Sequence, residues 1–137
     1  MILIKCAGSM VGVALMLTGM SAGVVGQEPV DSRPRNELHR ADLAEAPTLE
    51  TIVSTAEYAP GDSIGRHYHH GLEALYVVQG AMIQAPGKEP RDIPTGTSLL
   101  YERDVIHGGF TVVGDSVLKL FTVHVVDKGK PLYEYVE

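Results

Sequence analysis

The run Arg66-His67-Tyr68-His69-His70-Gly71-Leu72-Glu73 places three histidines and a glutamate within seven residues. In an extended chain, His67 and His69 project from one face and Tyr68 from the other. His70-Gly71-Leu72 turns the backbone. Glu73 then opens the apolar run Glu73-Ala74-Leu75-Tyr76-Val77-Val78, from which it can fold back over the two imidazoles. Two neutral nitrogens and a carboxylate converging on one point suit a divalent first-row metal. Such a centre needs a fourth ligand, or an open position for water or substrate.

Strands must position these groups. Thr48 to Tyr58 is rich in β-branched residues and predicts a strand, broken by Pro60-Gly61-Asp62. Further strands are predicted over Ser63 to His69, Glu73 to Gln79, Ala81 to Gln84, Arg91 to Ile93, Thr97 to Tyr101, Gly108 to Val113 and Ser116 to Val126. Leu132 to Val136 reads as an edge strand. Short strands separated by turn residues, with no convincing helical period, predict an all-β sandwich or barrel. On the strand carrying Glu73, Leu75 and Val77 share its face and would form an apolar wall beside the metal. His124 points inward by the same parity, opposite Lys119. A satisfied core histidine and a pocket-lining one both remain open for it. His70 adjoins His69 and faces the surface unless the turn swings it inward. His39 reads as a surface residue.

The spacing resembles a known family. Gly61, five residues, His67, one residue, His69, three residues, Glu73, six residues, Gly80 is similar to the first cupin motif at every position. Gly96 and His107 keep the spacing of the second motif. Glu102, Asp104 and Thr111 stand where proline, glycine and asparagine are usual. The resemblance spans roughly residues 48 to 126. It implies a cupin jelly-roll barrel of two sheets with six to eight strands. It also implies a metal at the barrel mouth held by His67, His69, Glu73 and His107. A strand and a polar loop precede His107, a position from which it can re-enter the pocket.

The chain has 137 residues, enough for one domain. Residues 1–26 read as a secretory signal peptide: Lys5 is their only charge, an apolar run follows, and small residues close it. An uncleaved membrane anchor is the alternative. Residues 27–47 form a polar, proline-punctuated N-terminal arm with at most one short strand, and 48–137 form the barrel. The lone Cys6 leaves with the leader, so neither a disulfide nor a thiolate ligand is expected. The formal charge is −6 for the whole chain and, without Lys5, −7. Arg33, Arg35 and Arg40 are interleaved with acids. This balance argues against nucleic acid, and against an anionic membrane surface once the leader is removed.

Three histidines and a glutamate leave positions open on an octahedral ion. The metals that fit are iron, manganese, nickel, copper or, less aptly, zinc. Cupins with this ligand set resemble dioxygenases, quercetin dioxygenase among them, and others in the family are isomerases or decarboxylases. The expectation is a secreted or periplasmic metal-binding cupin with dioxygenase-type chemistry on a small organic substrate. Glu73 would serve as ligand and as catalytic proton acceptor. A non-catalytic module that carries a metal or captures a small ligand is the second expectation. A homodimer through an edge strand or an exposed sheet face is a further one.

Overall fold

The computed structural model describes residues 30–137; the expected leader and the start of the arm lie outside them. Alternation builds the two longest strands. In β2 (Leu49–Tyr58), Glu50, Ile52, Ser54, Ala56 and Tyr58 are buried. In β10 (Leu118–Asp127), Leu118, Leu120, Thr122, His124 and Val126 are buried. The two pair antiparallel in unbroken register, from Leu118 opposite Tyr58 to Asp127 opposite Leu49. With β1 (Asn36–Asp42), β5 (Gly71–Gln79) and β8 (Ser98–Tyr101) they form a sheet ordered β1-β2-β10-β5-β8. A second sheet is ordered β3-β9-β6-β7, from Ser63–Ile64, Phe110–Val113, Ala81–Gln84 and Arg91–Ile93. The ribbon of β4 (His67–Tyr68) and β11 (Glu134–Tyr135) closes one end. No helix occurs among the described residues, and the predicted all-β barrel of two sheets is present.

Two expected elements differ. Ser63 to His69 is not one strand but β3 and β4, split at Gly65-Arg66. The split has a local cause: the Gly65 carbonyl turns to accept the His67 Nδ1–H at 2.8 Å, and so leaves the ladder. The arm supplies a full seven-residue edge strand, exposed along its whole length.

The interior has two characters. One end is an apolar core that includes Tyr58, Val77, Ile83, Val112, Leu118 and Leu120. Burying one such side chain contributes about 1.5–3 kcal/mol. The other end buries polar groups: Glu50, Ser54, His67, His69, Glu73, Thr122 and His124. Buried polar groups are costly unless they find partners, so that end has to be held together by specific contacts.

Candidate metal centre

The four predicted ligands come together. One donor atom from each of His67, His69, Glu73 and His107 lies within 4.8 Å of the other three. His67 sits on β4, His69 just beyond it, Glu73 on β5, and His107 in the loop before β9. His107 is clamped against His67 by a two-way backbone bridge of 3.0 and 2.8 Å. Across the large sheet, Glu73 lies directly between His124 on β10 and Tyr101 on β8.

Backbone carbonyls orient all three imidazoles. His67 Nδ1 faces Gly65 O, His69 Nδ1 faces Leu132 O, and His107 Nδ1 faces Val105 O. A carbonyl only accepts, so each Nδ1 carries the hydrogen and donates it. A ring that carries its hydrogen on Nδ1 alone presents a bare lone pair at Nε2. His107 Nε2 is 2.9 Å and His69 Nε2 3.3 Å from Glu73 Oε2. The Nε2 atoms of His67 and His69 are buried with no hydrogen-bond partner. Acceptors facing acceptors at this range require a cation among them, or extra protons on the rings. A divalent ion answers every one of these orphaned atoms, so the donor set fits a metal.

Electrostatics point the same way. Burial pushes the His67 imidazole down to about 3, so it stays neutral and able to ligate at ordinary pH. Burial also works against the charge of Glu73. The protons or the cation that His107, His124 and His69 share with the carboxylate, together with the Arg35 charge, outweigh it and hold the carboxyl far below its usual range. Glu73 is therefore ionised, with Oε2 toward His69 and His107, and Oε1 toward His124 at 3.2 Å and Arg35 at 3.4 Å.

Asp104 answers the departure in the second motif. It has φ +62°, a left-handed backbone that glycine adopts freely and aspartate tolerates. Its N–H donates to His69 O at 3.0 Å. The loop thus keeps a glycine-like conformation and still delivers His107. A model for the cupin domain matches residues 54–124.

The chain is a cupin.

Curated sequences give no match to this cupin. Among solved structures, it is similar to an uncharacterised conserved protein with a double-stranded β-helix domain from Klebsiella pneumoniae. The TM-score is 0.54 at 16% identity, covering 82% of this chain and 87% of that one. It is also similar to the polyketide cyclase RemF from Streptomyces resistomycificus, with a TM-score of 0.53 at 18% identity, covering 81% and 76%. At these identities the likeness concerns the fold alone.

The remaining histidines separate cleanly. His124 is fully buried with Nε2 3.2 Å from Glu73 Oε1. It does not line the barrel cavity, and neither ring nitrogen has a hydrogen-bond partner, so it matches neither expected reading. His70 turns away to Glu134 at 3.0 Å and Asp104 at 3.7 Å. His39 lies on exposed β1. A cavity of about 240 Å³ opens from His67, Glu73 and His107 into the barrel, with Leu75 and Val77 in its wall as expected.

Three residues of the site were not anticipated. Arg35 threads from the arm into the barrel, its side chain 7% exposed. Its place among neighbouring arginines and acids suggests a surface charge instead. Tyr133, near the C-terminus, packs edge-on to His67 and His69. Nothing local in the sequence marks it. Tyr101 stacks on His107 with centroids 3.9 Å apart and planes 7° from parallel. Strand parity alone could have found Tyr101, since it lies opposite Glu73.

Proposed function

We propose that this cupin is a divalent-metal protein that acts on a small organic substrate admitted to the barrel cavity, by dioxygenase-type chemistry. The observation that supports a resident metal is the orientation of three imidazoles by backbone carbonyls, which leaves the Nε2 atoms of His67 and His69 without a hydrogen-bond partner and sets that of His107 against the ionised Glu73. His67, His69, His107 and Glu73 would hold the ion. Iron, manganese, nickel or copper would supply redox chemistry toward dioxygen, whereas zinc would supply only Lewis acidity.

The chain's own residues do the rest. The apolar cavity wall keeps water from the reacting groups. Tyr101 fixes the plane of the His107 ring. Glu73, held ionised far below its usual range, is a ligand first and a weak proton acceptor. A substrate proton that reaches its Oε1 has His124 Nε2 3.2 Å away to share it. Export from the cytoplasm belongs to the same proposal, resting on the leader pattern in residues 1–26. N-terminal sequencing of the mature protein tests it, with a start after Gly23 or Gly26 expected.

Metal analysis of protein purified without chelator should give about one divalent ion per chain. His69→Ala should lower that content sharply. Equal metal in mutant and wild type would overturn the ligand assignment. Oxygen uptake on a panel of catechols and flavonols tests the chemistry. Bound metal with no uptake on any of them would favour a non-catalytic binding module.

A further inference from the structure

We propose that the cavity selects an organic anion, a small acid with an apolar body, whose carboxylate is received by Arg35 beside the metal group. This builds on the metal-centre reading above. Its basis is a buried cation whose donors are largely unused. Arg35 Nη1 donates to Thr122 Oγ1 at 3.1 Å. Nη2 reaches Glu73 Oε1 only at 3.4 Å, and the buried Nε has no partner at all. The face of the Tyr133 ring, 5.3 Å from the guanidinium carbon, accepts no directional hydrogen bond of ordinary strength, and the Asp31 carboxylate acts on Arg35 through its charge alone. A guanidinium carries five N–H donors in a fixed fork, and buried donors left unmet are costly. An acceptor is missing, and the guanidinium lines the cavity in which a ligand could bring one.

Charge identifies that acceptor. Glu73 and Arg35 cancel each other, and the Asp31 carboxylate also acts on Arg35. A divalent ion on the three imidazoles then leaves one uncompensated positive charge beside an apolar chamber. A neutral substrate would leave it unanswered, where low dielectric makes it most expensive. A carboxylate removes it and offers two oxygens to the guanidinium fork. The other charged groups on the cavity, Arg91 and Asp92, are both exposed and opposite in charge.

Size and wall chemistry set the body of the ligand. The chamber is lined by Ile64, Leu75, Val77, Phe110, Leu118 and Leu120. Its volume is about 240 Å³. An apolar cavity of about 150 Å³ accepts benzene, so this one has room for a single ring bearing a carboxylate. Arg35 is thus a specificity residue for the anion, not only a counter-ion for Glu73.

The test is calorimetric titration of benzoate and of its neutral isostere benzamide, into cobalt(II)-loaded protein and into chelator-treated protein. Wild type should bind benzoate at least about tenfold more tightly than benzamide, one charge-assisted hydrogen-bonded contact being worth about 1.4 kcal/mol or more. Arg35→Gln should bring benzoate down to the benzamide level while the metal-to-chain ratio stays at the wild-type value. Arg35→Lys should keep part of the preference. Equal binding of the two ligands by wild type, no binding of either, or a preference that survives Arg35→Gln would each overturn the proposal. Should the protein take up no metal, the metal-centre reading fails by itself. In chelator-treated protein Glu73 offsets Arg35 with no ion added, so only the unmet guanidinium donors favour benzoate. A smaller preference that is lost in Arg35→Gln is expected there, and its absence overturns the proposal. Should Arg35→Gln not fold, the wild-type comparison and Arg35→Lys decide it, and an undiminished preference in the lysine variant would count against the fork.

Discussion

Gly108 follows the ligand His107, and its replacement by alanine probes how tightly the centre is held. Its φ is +75°, in the left-handed region. A Cβ there would lie 2.4 Å from Gly65 O and 3.2 Å from His67 Nδ1. Gly65 O is the acceptor that orients His67, so the methyl group would press directly on the hydrogen bond that aims this imidazole. Left-handed strain costs roughly 1–2 kcal/mol, and overpacking against backbone about 1–3 kcal/mol more. The sum, about 2–5 kcal/mol, lowers the melting temperature of a domain this size by about 8–20 °C. Because the damaged contact supports a ligand, metal affinity should also fall about 10- to 100-fold. Gly114→Ala is the control. It has the same φ of +75°, but its Cβ meets only Met82 side-chain atoms at 3.7 Å. It should therefore show the strain without the contact, melting about 4–8 °C lower with unchanged metal affinity. Thermal melts of the metal-free proteins and chelator-competition titrations read both quantities. Equal metal affinity in Gly108→Ala and Gly114→Ala would refute the claim that the Gly65 carbonyl aims His67.

Two further outcomes follow from the same geometry. Metal-free protein should lose stability as pH falls below about 6.5, the unperturbed histidine value. Burial holds folded His67 near 3, so only the unfolded chain takes up that proton between these values. The loss reaches about 2–3 kcal/mol by pH 4.5, to which buried His124, also lowered by burial, adds in the same direction. Below that, Glu73 continues the trend, because its folded carboxyl is held ionised while the unfolded one protonates. Denaturant midpoints unchanged between pH 7 and 4.5 would contradict this. Glu73→Gln keeps the shape but removes the charge facing Arg35, whose side chain is 7% exposed. Breaking a buried pair in this way should destabilise the metal-free fold by about 3–5 kcal/mol, measured in the same denaturation experiment. A variant as stable as wild type would show that the pair carries no such weight.

The strand alternation in β2 and β10 made the barrel legible, because a half-buried strand writes its inner face into every second residue. His67, His69 and Glu73 were legible from their spacing across one short turn, and His107 through the resemblance to the second cupin motif. Glu73 and His107 converge through the long-range pairing of their segments. Arg35 was hidden for the opposite reason. Its environment is made by Thr122 and Glu73, residues distant in sequence, and a charged residue in a proline-rich stretch carries no mark of burial. Tyr133 and the Leu132 carbonyl were equally silent, since a backbone acceptor has no sequence signature at all. The break at Gly65-Arg66 could not be read from β propensity, because the demand for it comes from the ring of His67.

Residues at both ends of the described segment wrap the polar end of the barrel. Asp31 accepts from Tyr58 Oη at 2.8 Å and from Gly65 N at 2.9 Å, Arg35 reaches Glu73, and Leu132 steadies His69 from the far side. An excised fragment limited to residues 54–124 would keep all four ligands and shed all three of these supports. Such a fragment would carry the signature of the family without the braces that make the signature work. Fusion partners or tags joined close to either brace would press on the metal group itself.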